Sequence, residues 1–178
     1  MNFESTELPG LSLVMANRHM DSRGSFVKTY QRQCFSRNGI DFCAGEEYYS
    51  ESVKNALRGM HFQLPPVDHE KLIFCLRGSV LDVCLDLRKE SGMYGAVHAV
   101  ILSEKETTGL FIPKGVAHGF LSLEEDSLIS YAVSTEYSPE HDCGIHWDSF
   151  GFKWPSVSPI VSPRDSGHPV FSGFSSPF

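Results

Sequence analysis

The sequence predicts an all-β fold, a sandwich or barrel of short strands. Helical periodicity is almost absent from the 178 residues. Short apolar runs recur every ~8–12 residues, punctuated by Gly, Pro, Ser and Asn. With 41% hydrophobic and 21% charged residues, the chain has the composition of a globular protein with a real core. At ~100–200 residues per domain, its length fits one domain, placed at residues 1–165. Residues 166–178 are expected to be a polar C-terminal tail.

The elements are predicted in chain order. Leu11-Ser12-Leu13-Val14-Met15 alternates apolar and small residues like an edge strand, which suits pairing with a partner. Gln31 to Asn38 is the best helical stretch, stopped at Asn38-Gly39. Leu72–Leu76 and Val80–Leu85 flank Arg77-Gly78-Ser79 and read as a hairpin. Ala96–Leu102 is a further strand, and Gly109–Ile112 is a short one stopped by Pro113. Gly119–Leu123 and Leu128–Val133 are expected to pair around the acidic turn Glu124-Glu125-Asp126. From Pro155 onward the chain is rich in Ser and Pro, so it reads as an extended arm with a loose end. Within it, Pro159-Ile160-Val161 and Asp165 are the residues able to pack back.

Composition also excludes functions. The balance of 15 basic and 22 acidic residues, a net charge of −7, argues against a general nucleic-acid binder. An anionic ligand would need a local cluster of Arg and Lys. No apolar run approaches the ~20 residues of a membrane span. Met1–Gly10 carries two Glu and no basic segment, so no secretory signal is expected there. The five cysteines include no CxxC pair and are expected to be free thiols in a reducing cytoplasm.

Four clusters could carry chemistry. The first is Leu57-Arg58-Gly59-Met60-His61-Phe62-Gln63, followed by Lys71. In a regular strand Gly59, His61 and Gln63 share one face and Arg58 the other, unless a bulge intervenes. The second is Ile112-Pro113-Lys114-Gly115-Val116-Ala117-His118-Gly119-Phe120, whose turn delivers His118 to the start of a strand. The third holds Tyr131 and Tyr137, which taken alone read as half-buried strand tyrosines. The fourth is Asp165 in Ser162-Pro163-Arg164-Asp165, which taken alone reads as a solvated loop residue.

The second cluster is the second sequence motif of cupins, small double-stranded β-helices or jelly rolls. Metal-binding cupins carry His-x-His in their first motif. Here that position reads His61-Phe62-Gln63. Although His69, Glu70 and His118 are further candidate ligands beside His61, no metal is expected.

Together the clusters resemble the dTDP-4-dehydrorhamnose 3,5-epimerase family. The similarity runs from Asp21-Ser22-Arg23-Gly24-Ser25-Phe26 through the first cluster and Lys71-Leu72. It continues through Asp82–Arg88, Ile112–Phe120, Tyr131, Tyr137, Trp147-Asp148 and Trp154-Pro155, and ends at Asp165. The resemblance implies a cupin jelly roll, a homodimer, no cofactor and no metal. The implied substrate is a nucleoside-diphosphate 4-keto-6-deoxysugar, whose keto group acidifies the protons on carbons 3 and 5.

Epimerisation needs a base on one face, a stabiliser for the enolate and an acid on the other face. By resemblance, His61 is the base, Asp165 orients it, Lys71 sits at the enolate oxygen and Tyr131 returns the proton. Arg23, Arg58, Gln63, His118 and Tyr137 are implied contacts to the sugar nucleotide. Asp142 stands where the family has Glu, and Arg164 where it has Lys. Lys28 replaces a Glu, while Glu46 and Tyr48 replace Gln and Asn, all on the nucleotide-contacting surface. A lysine only donates hydrogen bonds, which suits the acceptor edge of cytosine better than the ring N–H of thymine. Two expectations for Lys28 follow: contact with a CDP-type base, or pairing with Glu46. The competing functional readings are a metal-dependent cupin and a non-catalytic binder of sugar nucleotides.

Overall fold

The computed structural model describes all 178 residues. The strands begin with β1 (Asn2–Ser5), β2 (Ser12–Met15), β3 (Arg18–Asp21) and β4 (Gly24–Val27), followed by helix α1 (Arg32–Arg37). Next come β5 (Glu46–Ser52), β6 (Ala56–Gln63), β7 (Lys71–Arg77), β8 (Ser79–Asp86) and β9 (Val97–Ser103). They are followed by β10 (Thr108–Ile112), β11 (Val116–Ser122) and β12 (Ser127–Val133). The C-terminal arm adds β13 (Asp142–Gly144), β14 (Ile160–Val161) and the single-turn helix α2 (Pro163–Ser166). No helix is long and apolar enough to cross a membrane.

Two sheets face each other as a jelly roll. The first has the order β1-β2-β10-β7-β12-β5. The second runs β13-β6-β11-β8-β9, with β14 alongside β6. The strands match the expected runs closely, but two expected pairings do not form. β7 and β8 are consecutive yet lie in different sheets: β7 pairs with β10 and β12, β8 with β9 and β11. The chain changes sheet at Gly78, at φ +73°, where a Cβ would sit 2.7 Å from the Ser127 hydroxyl oxygen. β11 and β12 are likewise divided between the sheets. Short turns here are corners of the roll, and hydrogen bonding joins strands distant in sequence.

Alternation along each strand sorts side chains into three layers. Between the sheets lie Ile73, Cys75, Cys84, Leu110, Phe120, Ile129 and Tyr131. Leu72, Phe74 and Phe111 face the other side of the first sheet, where Phe35 of α1 and Phe42 cover them. Leu57, Phe62, Val83, Leu85 and Leu121 face outward from the second sheet and are covered by Ile145 and Trp154.

Two further expectations are corrected. The Leu11–Met15 strand is not an edge, because β2 lies between β1 and β10. The edge position falls to β1. The C-terminal residues are not a loose polar tail either. Phe171, Phe174 and Phe178 pack on the outer layer of the second sheet, and Phe62 meets the rings of Phe174 and Phe178 at 5.4 and 5.9 Å. The Ser176 hydroxyl donates to the Leu87 carbonyl at 2.5 Å, and the Lys89 N–H donates to that of Phe178 at 3.1 Å. The aromatic residues spaced through a Ser-rich segment dock it; composition alone hides them.

β3 and β4 form a separate two-stranded hairpin that pairs with no other strand of the chain. It exposes Met20 and Phe26, 68% and 62% accessible.

Removing Phe171–Phe178 is expected to lower the thermal unfolding midpoint by several degrees. Burying one phenylalanine side chain is worth about 1.5–3 kcal/mol, and each kcal/mol shifts a chain of this size by about 2–4 °C. An unchanged melting curve would show that the docked tail contributes nothing.

Candidate active site

The site begins with an irregularity in β6. His118 of β11 lies opposite His61, and Phe120 opposite Arg58. Two steps on β11 therefore span three on β6, which is a bulge at Gly59-Met60. It turns Arg58, His61 and Gln63 all toward the inter-sheet cavity, against the simple alternation. Gly59 stands at φ +123°, with an added Cβ only 2.5 Å from the Gly119 Cα, so no side chain fits there.

The bulge also frees the Gly59 N–H, which donates to Asp165 Oδ2 at 3.0 Å. Asp165 reaches this point because β14 runs parallel to β6, pairing Ile160 with Ala56 and Val161 with Leu57. The chain then turns into α2. Ser162 caps that turn, its hydroxyl accepting from the Asp165 N–H at 3.0 Å, with Pro163 at the first position. Asp165 is thus buried, not solvated. Its Oδ1 lies 2.8 Å from His61 Nε2. Burial alone would raise the Asp165 carboxyl, but His168, His61 and the Gly59 N–H outweigh it and hold it well below the usual carboxylate range.

An ionised Asp165 needs a donor, so His61 carries its proton on Nε2, leaving Nδ1 free to accept one. Burial pulls the His61 imidazole below its ordinary value, and Asp165 offsets this only in part. His61 is therefore neutral at neutral pH, the form a base requires.

His61 lines a cavity of about 330 Å³ together with Arg58, Lys71, His118, Tyr131 and Tyr137. Tyr131 faces it from β12, in the opposite sheet from His61. Its ring stacks on Tyr48 at 4.7 Å and 15°, and its hydroxyl lies 3.5 Å from that of Ser50. Burial pushes the Tyr131 phenol far up, so it stays protonated and able to donate. Lys71 is buried, and its Nζ donates to the His61 carbonyl at 3.1 Å. Desolvation pushes it down from 10.5 to about 8. An ammonium in so dry a position is a strong electrostatic partner for developing negative charge.

The remaining expected residues divide. Arg58 donates to the Ser52 hydroxyl and the Glu51 carbonyl, which fixes its guanidinium at the cavity wall. His118 holds Asp82 through Nε2 at 2.7 Å, a second buried imidazole–carboxylate pair. Asp142 and Arg164 pair at 2.5 Å, and that carboxylate raises the exposed Tyr137 phenol. Glu46 accepts the Tyr137 N–H at 2.6 Å, so it is not paired with Lys28. Gln63 lines the cavity, but its amide serves the protein: it donates to the Val67 and Glu136 carbonyls and accepts the Ser138 N–H.

Arg23 and Lys28 are not brought to this cavity within one chain. Both belong to the exposed β3–β4 segment, where Arg23 pairs with Asp21.

The trio missed from the sequence is completed by His168. It lies three residues beyond Asp165, with Nε2 3.6 Å from the same Oδ1 that meets His61. The Asp-x-x-His spacing across one helical turn was the available signal. Asp82 stands in the Val80–Leu85 run and opens the matching segment Asp82–Arg88, where the sequence assigns it no role of its own. His69, Glu70 and His118 do not converge with His61 into a metal-ligand set. His61, Asp165 and His168 do converge.

Fold and site define a cupin that sets an imidazole–carboxylate pair against a protonated tyrosine across a half-polar cavity. The model of the dTDP-4-dehydrorhamnose 3,5-epimerase family matches residues 5–173. A dTDP-4-dehydrorhamnose 3,5-epimerase of Methanothermobacter thermautotrophicus is 38% identical over 155 residues, covering 86% of this chain and 83% of the relative. The crystal structure of such an epimerase from Bacillus anthracis, with TDP and pyrophosphate bound, superposes with a TM-score of 0.92 at 32% identity, covering 95% and 98% of the two chains. ChmJ, a 3'-monoepimerase from Streptomyces bikiniensis solved with dTDP-quinovose, superposes at 0.88 with 28% identity, covering 94% and 86%. The chain belongs to the dTDP-4-dehydrorhamnose 3,5-epimerase family, and is a sugar-nucleotide epimerase of the isomerase class.

The titrations of His61 and Lys71 set a pH dependence. With His61 as the base and Lys71 as the enolate's partner, activity would need a neutral imidazole and a charged ammonium. On the acid side, kcat/KM is expected to fall with a midpoint below 6.5, because burial lowers the imidazole. On the basic side it is expected to fall near pH 8 as Lys71 loses its proton. A rate profile flat from below 6.5 to well above 8 would contradict both assignments.

Proposed function

We propose that this protein inverts carbon 3, carbon 5, or both, of a nucleoside-diphosphate 4-keto-6-deoxysugar by proton removal and return through an enolate. The observation that carries this reading is the placement of His61 and Tyr131 on opposite sheets across one cavity. An epimerase must take a proton from one face of the ring and return it on the other.

In this mechanism His61 Nδ1 removes the proton next to the keto group. Asp165 keeps the imidazole in the required tautomer and stabilises the imidazolium that forms. Lys71 stabilises the enolate oxygen. Tyr131 delivers a proton from the opposite face, and the residue pair is then reset by exchange with solvent. The negative charge is delocalised within the sugar itself, so these steps draw on no cofactor. Arg58 and His118 serve the sugar nucleotide, with Tyr48, Tyr137, Asp142 and Arg164 around it. Gln63 and Glu46 shape the wall by holding the loop at Tyr137 and Ser138.

We also place the protein as a cytoplasmic homodimer. Five free cysteines suit a reducing compartment. The unpaired β3–β4 hairpin exposes Met20 and Phe26 and carries Arg23 and Lys28, which have no function in their own chain's cavity. A second copy that receives this hairpin would bring both cations to the nucleotide of its own site. Arg23 then binds phosphate through its planar fork, and Lys28 donates to the base. dTDP or CDP is the nucleotide, with Lys28 favouring an acceptor edge such as that of cytosine. Products of this type feed surface polysaccharides such as O-antigens.

Incubation with dTDP- and CDP-4-keto-6-deoxyglucose in D₂O, followed by NMR, tests the reading. Deuterium is expected at carbon 3, carbon 5 or both, with the exchange lost in His61→Asn. Tyr131→Phe is expected to retain exchange at the first carbon while epimerising at least about 100-fold more slowly, since each acid–base step contributes about 10²–10⁴-fold. No exchange with either nucleotide would overturn the proposal for these substrates. Clear preference for the dTDP sugar would remove the role assigned to Lys28.

A further inference from the structure

We propose that His61, Asp165 and His168 form a binding site for one zinc-type divalent cation, and that its occupancy switches off the base. The inhibitory half rests on the proposed role of His61. The site itself does not.

The geometry comes first. The ligand atoms of the three residues lie within 4.8 Å of one another. Asp165 Oδ1 stands 2.8 Å from His61 Nε2 and 3.6 Å from His168 Nε2. Tetrahedral zinc with bonds of about 2.0–2.1 Å separates its ligand atoms by about 3.3 Å. The two separations from Asp165 bracket that value, and the third lies within 4.8 Å, so a cation would draw the two imidazoles together around the carboxylate. Two imidazoles and one carboxylate are also a donor set that zinc favours.

His168 supplies a second, independent observation. Its Nε2 is buried and makes no hydrogen bond, its one polar neighbour being Asp165 Oδ1 at 3.6 Å. Buried nitrogens are rarely left so. The ring is held in place and not free to turn away: a Cβ on Gly144 would lie 2.4 Å from its Nε2, and the ring meets His61 edge-on at 5.8 Å. Nothing in the epimerase chemistry uses this nitrogen. It points at the oxygen that His61 already engages.

Access comes from a second opening beside the sugar cavity. A second cavity of about 450 Å³ is lined by Ser52, Leu57, Ser162 and Arg164, and reaches His61 and Asp165. A cation can arrive there, and water can complete its coordination, at a wall that shares Arg58, His61 and Arg164 with the sugar cavity. The positive charges of Arg164 and Lys71 oppose the cation. Both act on His61 and lower its proton affinity in the same sense. The expected affinity is therefore below that of closed structural zinc sites.

The consequence for catalysis is chemical. In the active form His61 carries its proton on Nε2. The cation replaces it: the Nε2–H bond breaks, an Nε2–metal bond forms, and the proton passes to solvent. A positive charge on Nε2 then lowers the basicity of Nδ1, and the tie to Asp165 that supports the imidazolium is lost.

Calorimetric titration of metal-free protein with ZnCl₂, beside His168→Phe and His168→Gln, tests the site. Circular dichroism checks that both variants fold. One equivalent is expected to bind the parent protein, and both folded variants are expected to bind at least about tenfold more weakly. One equivalent of zinc is expected to abolish solvent exchange into the sugar in the parent and EDTA to restore it. Each variant is expected to keep its own zinc-free rate at that concentration. Absence of zinc binding, or equal affinity in all three proteins, would overturn the site. Binding at the site without loss of exchange would overturn the switch. If the parent shows no epimerase activity at all, calorimetry still decides the site, so the two readings fail separately.

Discussion

One hydrogen bond organises this site: the Gly59 N–H donating to the Asp165 carboxylate. A regular strand would spend that N–H on its neighbour. The bulge releases it, and a carboxylate from the far end of the chain takes it. A buried carboxylate is costly without donors, and here the bulge supplies one and His61 another. The same bulge turns both Arg58 and His61 into the cavity. Glycine is required twice, since a Cβ on Gly59 would meet the Gly119 Cα and one on Gly119 would lie 2.7 Å from the Met60 sulfur. The docking of the C-terminal arm and the protonation state of His61 are therefore one structural event.

The jelly roll contributes the second element, two faces. From β5 to β8, and again from β9 to β13, successive strands alternate between the sheets, so β6 and β12 confront each other although neither pairs with the other. His61, the proposed base, projects from one wall and Tyr131 from the other. Burial then acts in opposite directions on their proton affinities. It lowers His61 toward the neutral base and raises Tyr131 toward the protonated acid. Lys71 is the exception, a buried cation whose proposed place is at the enolate oxygen. Its burial is a cost in the resting protein, which an anionic enolate beside it would offset.

Much of this was legible in the sequence, and the misses have physical causes. Strand positions follow from apolar runs bounded by Gly and Pro, so β7 to β12 are visible. Their partners are not, because a two-residue corner and a hairpin turn use the same residues. Arg77-Gly78-Ser79 reads equally well as either. The helix at Arg32–Arg37 was visible, whereas β13 and β14 have too few residues to carry a pattern. His61, Lys71, Tyr131 and Asp165 were marked by their motifs together, and Asp165 alone looked like a solvated loop residue. Only the parallel pairing of β14 with β6 explains its burial. The tail was misjudged because serine and proline dominate its composition, while three phenylalanines decide its energy. Arg23 and Lys28 were assigned to a surface that one chain does not assemble.

The account turns on which nitrogen of His61 holds the proton. Nitrogen-15 NMR of histidine-labelled protein at neutral pH reads this directly, with the His61 signals identified by their loss in His61→Asn. The expected result is a neutral ring protonated on Nε2, with Nδ1 unprotonated. A ring protonated on Nδ1 would contradict the account, because the atom assigned to take the sugar's proton would already carry one.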